Sequence, residues 1–331
     1  MYYGFWEQLA KPMFVLAPMA DVTDSVFRQI IVKYGRPDMV FTEFVPCDGL
    51  CSKGRDNLLP DLQFVEDERP IVAQIFGAKP ENFYETGKLI AQLGFDGVDI
   101  NMGCPEKSVV KQGAGSGLIR TPSLAQEVIR ATQEGTAAGG KRLPVSVKTR
   151  LGFSSDEFKS WVPALLSMKL PVLTIHARTR KEMSKVPARW EQVNEIVELA
   201  KGTGTYIIGN GDVTDLTDAQ RRVEETQVDG VMLGRAIFGN PWLFRRDGYI
   251  PSLSEVLSVL VEHTNLYEST WGDTKPFDLM KKHYKAYISG FPGAHELRIQ
   301  LMGCKNAHGV TQVVEAFLAR SQQALNIERA E

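Results

Sequence analysis

Eight short aliphatic and β-branched runs recur along the first three-quarters of this 331-residue sequence, with helical patterns between them. They are Phe14–Ala17, Met39–Thr42, Ile71–Gln74, Val98–Asn101, Val145–Lys148, Val172–His176, Tyr206–Asn210 and Gly230–Leu233. The runs are continuous rather than alternating, as expected of strands buried on both faces of a parallel sheet. After the first run, Thr23-Asp24 offers an N-cap. Phe27, Ile30, Ile31 and Tyr34 then fall on one helical face before Gly35 ends it. Trp190, Val193, Ile196, Val197 and Leu199 repeat the pattern and stop before Gly202. Eight strands alternating with helices over about 240 residues predict an α/β fold of the (β/α)8 TIM-barrel type. A doubly wound open sheet is the alternative, but it calls for a glycine-rich turn after its first strand. Here that strand ends in Ala17-Pro18-Met19-Ala20, and Gly113-Ala114-Gly115-Ser116-Gly117 comes a dozen residues after its own strand.

Between Pro241 and Pro251 the alternation stops. Ser252 with Glu255 forms a capping box, and helical patterns around Phe277–Ser289 and Ala294–Met302 complete a small all-helical domain. The expected boundaries are 1–245 for the barrel and 246–331 for the helices. The chain carries a net charge of −2, which argues against non-specific coating of nucleic acid. Between Lys275 and Val310, however, six basic residues stand against two acidic ones. A local basic region on a mildly acidic body suits a docked polyanion, although a solvated helix face would show the same counts. Cys47, Cys51, Cys104 and Cys304 are too few and scattered for a disulfide framework. The N-terminus lacks the basic and apolar regions of a secretory signal, and no apolar run reaches the roughly 18 residues of a membrane span. The expected setting is a reducing cytoplasm, away from membranes.

In a barrel, functional residues gather at the C-terminal ends of the strands. The polar residues at those ends are Gln74, Asn101 with Cys104, Lys148, His176, Asn210-Gly211 and Gly234-Arg235. Taken singly, each has an ordinary structural explanation. A free cysteine is usually a small buried hydrophobe, a strand-end lysine an ion-pair partner, and a histidine a hydrogen-bonded scaffold. The last two strand ends are more specific. Gly209-Asn210-Gly211-Asp212 and Leu233-Gly234-Arg235-Ala236 offer unhindered backbone N–H groups and an arginine, in the loops where barrels commonly bind phosphate. With a lysine and a glutamine elsewhere on the rim, the implied ligand is a flat ring with one phosphate tail, a description FMN fits. Metal binding is not expected, because no pair of the five histidines has ligand spacing.

These residues together resemble the tRNA-dihydrouridine synthases. The resembling motifs are Ala17-Pro18-Met19-Ala20-Asp21-Val22-Thr23-Asp24, Gln74-Ile75-Phe76-Gly77, Asn101-Met102-Gly103-Cys104-Pro105 and Val147-Lys148-Thr149-Arg150. His176-Ala177-Arg178-Thr179-Arg180, Gly209–Asp212, Gly234-Arg235-Ala236 and the Lys281–Gly293 stretch continue them in order. The resemblance implies an FMN enzyme that reduces a uridine of tRNA to 5,6-dihydrouridine with NADPH as reductant. It implies FMN contacts from Pro18, Met19, Gln74, Lys148, His176, Asn210, Gly211, Asp212, Gly234 and Arg235. It makes Cys104 the general acid that protonates C5 of the uracil while hydride reaches C6. Asn101 and Arg178 would hold the substrate base, which must leave its stack. Lys281, Lys282 and Lys285 of the basic helical domain would hold tRNA phosphates. No protein partner is implied.

One segment departs from the family pattern. Many members show a glutamine, a tyrosine and a glycine before a tryptophan, whereas here Lys181–Arg189 precedes Trp190. Two other functions compete: a barrel flavin reductase acting on a free small molecule, and a non-catalytic RNA-binding protein. The first leaves the basic helical domain unexplained; the second leaves Cys104, Lys148 and His176 unexplained.

Overall fold

A computed structural model describes residues 1–328, with side chains through residue 321. All eight expected strands form: β1 Met13–Leu16, β2 Val40–Pro46, β3 Ile71–Phe76, β4 Gly97–Met102, β5 Val145–Arg150, β6 Val172–His176, β7 Tyr206–Asn210 and β8 Gly230–Leu233. The helices between them are α1 Ser25–Tyr34, α2 Cys47–Leu50, α3 Pro80–Gln92, α4 Lys107–Lys111, α5 Pro122–Ala138, α6 Phe158–Leu166, α7 Trp190–Ala200 and α8 Leu216–Thr226. The strands pair in parallel in the order β1-β8-β7-β6-β5-β4-β3-β2. Sequential neighbours and a β1–β8 pairing define a TIM-barrel-like sheet, and no reversal of strand order provides the switch point of a doubly wound fold. Between β1 and β2, Asp38 bridges: the Phe14 N–H donates to its carboxylate at 2.7 Å, and its own N–H donates to the Phe14 carbonyl at 3.0 Å.

The sheet is buried on both faces, and most of its strand positions are apolar. β1, β4 and β8 are buried at every position. Trp6 packs with Met13, Met39, Val72 and Val172, all at or near strand starts, so the N-terminal end of the barrel is filled with apolar side chains. The polar residues expected at the strand ends stand towards the opposite end.

The chain divides into two compact units. One comprises residues 1–28 and 37–236; the other comprises 29–36 and the chain from Ile237 onward. No linear boundary would assign 29–36 to the second unit. There, Lys33 and Tyr34 bond the two Glu262 oxygens at 2.6 Å each, and a Cβ on Gly35 would lie 2.3 Å from the Pro241 carbonyl. The remaining helices of this unit are α9 Leu253–Trp271, α10 Lys281–Tyr287, α11 Ala294–Gly303 and α12 Ala307–Glu328. The Ser252–Glu255 capping box opens α9 as expected. No pattern in the sequence marks α12; among its described residues only Ala307, Val310 and Val314 are buried. Among the described residues, no helix is long and apolar enough to cross a membrane.

Candidate active site

The strand-end residues converge. Pro18 and Met19 after β1, Lys148 on β5, His176 at the end of β6, Asn210–Asp212 closing β7 and Gly234-Arg235 after β8 line one cleft of about 590 Å³. Ala17, Arg178, Ser184 and Met232 are also among its lining residues.

Three cations line this cleft, Lys148, Arg178 and Arg235, and the two arginines are paired with Asp212. Lys148 forms no ion pair among the described residues, so the ordinary structural explanation for a strand-end lysine does not hold. Its ammonium donates one long hydrogen bond, to Asn210 Oδ1 at 3.3 Å. Asn210 Nδ2 donates in turn to the Met232 carbonyl at 2.8 Å, which fixes its oxygen towards the lysine. Burial, with Arg150 close by, pulls the Lys148 pKa down to about 8. His176 Nε2 lies 3.1 Å from Arg178 Nη1 and must accept, so the ring proton sits on Nδ1. Burial and the surrounding Arg150, Lys148, Arg178 and Arg235 hold this histidine well below its usual range, hence neutral.

Asp212 was expected beside the cofactor, and its carboxylate is held by the protein itself. Arg178 pairs with one oxygen, and the Ala188 N–H donates to the same atom at 2.9 Å. Arg235 reaches the other oxygen at 2.8 Å. Burial acts to raise the Asp212 pKa, but these donors and cations keep it below the ordinary carboxylate value. Arg178 is itself buried and donates its Nε to the Val186 carbonyl at 2.6 Å. Gly211 has φ +134°, and a Cβ there would lie 2.8 Å from the Ala188 Cβ. Trp190 Nε1 donates to the Gly211 carbonyl at 2.9 Å, which ties α7 to this loop.

Gln74, Asn101 and Cys104 are not part of the cleft wall. They form an adjoining cluster on β3 and β4, and register places Asn101 directly beside Lys148. Gln74 is fully buried, with its amide spent on protein partners: Nε2 donates to Asp99 Oδ2 at 2.7 Å, and Oε1 accepts from Asn101 Nδ2 at 3.0 Å. Asn101 Oδ1 accepts the N–H groups of Gly103 at 3.0 Å and Cys104 at 2.9 Å. The Cys104 carbonyl accepts from the Ser116 N–H at 3.1 Å and the Ser116 hydroxyl at 2.8 Å. The glycine run serves this loop rather than a phosphate. Gly115 has φ +56°, and a Cβ there would lie 3.1 Å from the Cys104 Cβ. The Cys104 thiol is half-buried, and burial pushes its pKa up, so it stays protonated at neutral pH.

Sequence reasoning missed two residues of this cluster. Asp99 lies wholly buried in the middle of an apolar strand; burial raises its carboxyl to about 6, opposed by the hydrogen bonds of Ser146 and Gln74. The available signal was a carboxylate two residues before Asn101, hence on the same side of the strand. Arg150 was quoted within a motif but given no task. It is buried, with its pKa lowered to about 10 mainly by that burial. Its Nε donates to the Gly103 carbonyl at 2.7 Å, and its Nη1 donates to the carbonyls of Thr179 and Met183 at 3.1 Å each. Arg150 therefore ties the cysteine loop to the segment that departs from the family pattern. That segment carries its own brace: Arg189 pairs with Glu182 at 2.5 Å and with Asp156 at 2.6 Å.

In the helical unit, Lys281 pairs with Asp278 at 2.7 Å. Lys282 and Lys285 are exposed on α10.

The donor set of the cleft fits FMN. Ala17, Pro18, Met19 and Met232 give an apolar surface for a flat ring, Lys148 gives a cation short of partners, and Gly211 and Arg235 give phosphate-type donors. Fold and site together describe a TIM-barrel-like protein with a cationic cleft beside a protonated thiol. The chain belongs to the dihydrouridine synthase family: the family model "Dihydrouridine synthase (Dus)" matches residues 15–323. It is 44% identical to the probable tRNA-dihydrouridine synthase 2 of Bacillus subtilis (strain 168), over 96% of this chain and 97% of that protein. It is 42% identical to the probable tRNA-dihydrouridine synthase of Staphylococcus aureus (strain COL), over 99% of this chain and all of that one. Among solved structures, a variant of NCR from Zymomonas mobilis superposes with a TM-score of 0.50 at 16% identity, covering 74% of this chain and 88% of that one. A 2-naphthoyl-CoA reductase complex gives 0.52 at 10% identity over 70% of this chain and 49% of that one. At such identities the likeness is one of fold alone.

Proposed function

We propose that this protein reduces the C5=C6 bond of a uridine in tRNA to give 5,6-dihydrouridine, with FMN as cofactor and NADPH as electron donor. The observation that carries this reading is similarity along the whole chain to relatives named probable tRNA-dihydrouridine synthases, helical unit included. A reductase of free small molecules would leave that unit without a task. Residues 1–245 would carry the chemistry and 246–331 the tRNA.

When bound, FMN supplies the hydride that reaches C6 of the uracil. Pro18, Met19, Lys148, His176, Asn210, Gly211, Asp212, Gly234 and Arg235 would hold it. Lys148 opposes negative charge at the ring edge as an electrostatic partner and transfers no proton. Neutral His176 adds no further positive charge. As charge builds on the uracil O4–C5 unit, the Cys104 thiol gives its proton to C5 and is later reprotonated from solvent. The raised thiol pKa keeps that proton in place between turnovers. Asn101 and Arg178 would steady the base. Gln74 is turned inward, so it would support Asn101 in addition to any contact with the cofactor.

The test is dihydrouridine content, by mass spectrometry, of unmodified tRNA incubated with the purified protein and NADPH. Product should accumulate with wild type and fall by at least about 100-fold with Cys104→Ala, the scale of a lost general acid. Flavin content and the rate of flavin reduction by NADPH should be unchanged. Absence of product from a flavin-loaded protein that still consumes NADPH would overturn the reading.

A further inference from the structure

We propose that Asp99 is a positioning residue: by fixing which way the Gln74 amide stands, it fixes the Asn101 amide and, through it, the loop that presents Cys104. The inference rests on the role of Cys104 proposed above.

Strand register places Gln74, Asp99 and Ser146 side by side on three adjacent strands, with Asn101 two residues further along. A side-chain amide has a donor end and an acceptor end, and either can face a given neighbour unless something forbids it. Here both ends of the chain of contacts are fixed. At one end stands the Asp99 carboxylate, which accepts only; Ser146 donates to one of its oxygens at 2.6 Å and Gln74 Nε2 to the other at 2.7 Å. At the other end stand two backbone N–H groups, Gly103 and Cys104, which donate only. With the carboxylate holding Nε2 of Gln74, Oε1 must face Asn101, which must answer with Nδ2 and leave Oδ1 for the loop. Reversing Asn101 would set its Nδ2 against the two loop N–H groups and forfeit both bonds. Reversing Gln74 would set its Oε1 against the carboxylate and its Nε2 against Asn101 Nδ2, which presses Asn101 to reverse as well. All four side chains are nine-tenths or more buried, so water does not substitute for a lost partner.

Neutralising Asp99 without reversing its polarity should therefore be tolerated. In Asp99→Asn the new Oδ1 can accept from Gln74 while its Nδ2 donates to the Ser146 hydroxyl. Asp99→Ala removes the constraint. Asp99→Thr keeps much of the volume, suits a strand, and offers a hydroxyl that accepts or donates with equal ease.

The experiment compares the holoenzymes of these variants by stopped flow in two halves: flavin reduction by NADPH, then reoxidation by unmodified tRNA. Iodoacetamide alkylation of Cys104, followed by mass spectrometry, reports the loop without reference to turnover. For Asp99→Ala, or for Asp99→Thr should the alanine variant not fold, we expect tRNA-dependent reoxidation to slow at least tenfold. Flavin content and flavin reduction should stay within twofold of wild type, and the Cys104 alkylation rate should change at least threefold. Asp99→Asn should recover reoxidation to within threefold. An equal loss in both halves, or an asparagine variant no better than the threonine one, overturns the proposal. Should wild type fail to reduce tRNA at all, the proposed function falls, while the alkylation rates still decide whether Asp99 sets the loop.

Discussion

Lys148 carries its charge where burial disfavours it, and that has a consequence for cofactor binding. Its folded pKa of about 8 lies below the ordinary lysine value of 10.5. In the ligand-free protein this lysine therefore weakens the fold at neutral pH, and that loss is recovered as pH rises from about 8 towards 10.5. A phosphate and an electron-rich ring edge favour the charged form, so FMN binding takes up a proton once the pH exceeds about 8. FMN affinity, read by quenching of flavin fluorescence, should fall between pH 7 and pH 9, by at most about tenfold per unit above the pKa. Lys148→Met should bind more weakly at pH 7 and show no such fall; an equal fall in that variant would assign the effect to another group. Lys148 and His176 were legible in the sequence because a polar residue ending an apolar run stands out. Asp99 was not, because inside such a run a carboxylate means something only once Gln74 and Ser146 are seen beside it. Arg178 was legible as part of a motif, yet the burial of its guanidinium against Asp212 and Val186 comes from a loop the sequence does not orient.

All eight strands could be read from the sequence because burial on both faces leaves an unmistakable apolar run. How the helices cross could not. Where α3 meets α5, a Cβ on Gly135 would lie 2.1 Å from the Tyr84 carbonyl oxygen and 2.8 Å from its carbon. These are backbone atoms and cannot turn aside as a side chain can. In an open helix, glycine to alanine stabilises by about 1 kcal/mol. Here the sign should reverse: Gly135→Ala should lower stability by about 1–3 kcal/mol through overpacking, seen as an earlier midpoint in urea. A later midpoint would mean that the two helices can move apart at little cost. The glycine was visible in the sequence, but the close approach it permits is a property of two elements at once. α12 escaped notice for a related reason, since the few buried positions among its described residues form too thin a stripe to mark a helix.

At the scale of the whole molecule the charge is unevenly spread, and the structure sorts which basic residues of the helical unit are free to act. Of the three lysines expected to meet tRNA, Lys281 already has Asp278 as a partner and only 15% of its side chain exposed. Lys282 and Lys285 are exposed one turn apart on α10, so they present two charges on a single face. Each phosphate contact releases counterions and contributes on the order of 0.7–0.9 to the slope of log affinity against log salt. Lys282→Ala with Lys285→Ala should weaken tRNA binding by about tenfold at moderate salt and flatten that slope by about 1.4–1.8. FMN affinity should not change, because the cleft residues all lie in the other unit. Lys281→Ala alone should change the slope far less, since its charge is already met within the protein. Titrations of tRNA at several salt concentrations, read by fluorescence anisotropy, separate these cases. A slope unchanged in the double variant would move the polyanion site off α10, while a slope lost equally with Lys281→Ala would show that the Asp278 pair opens on binding.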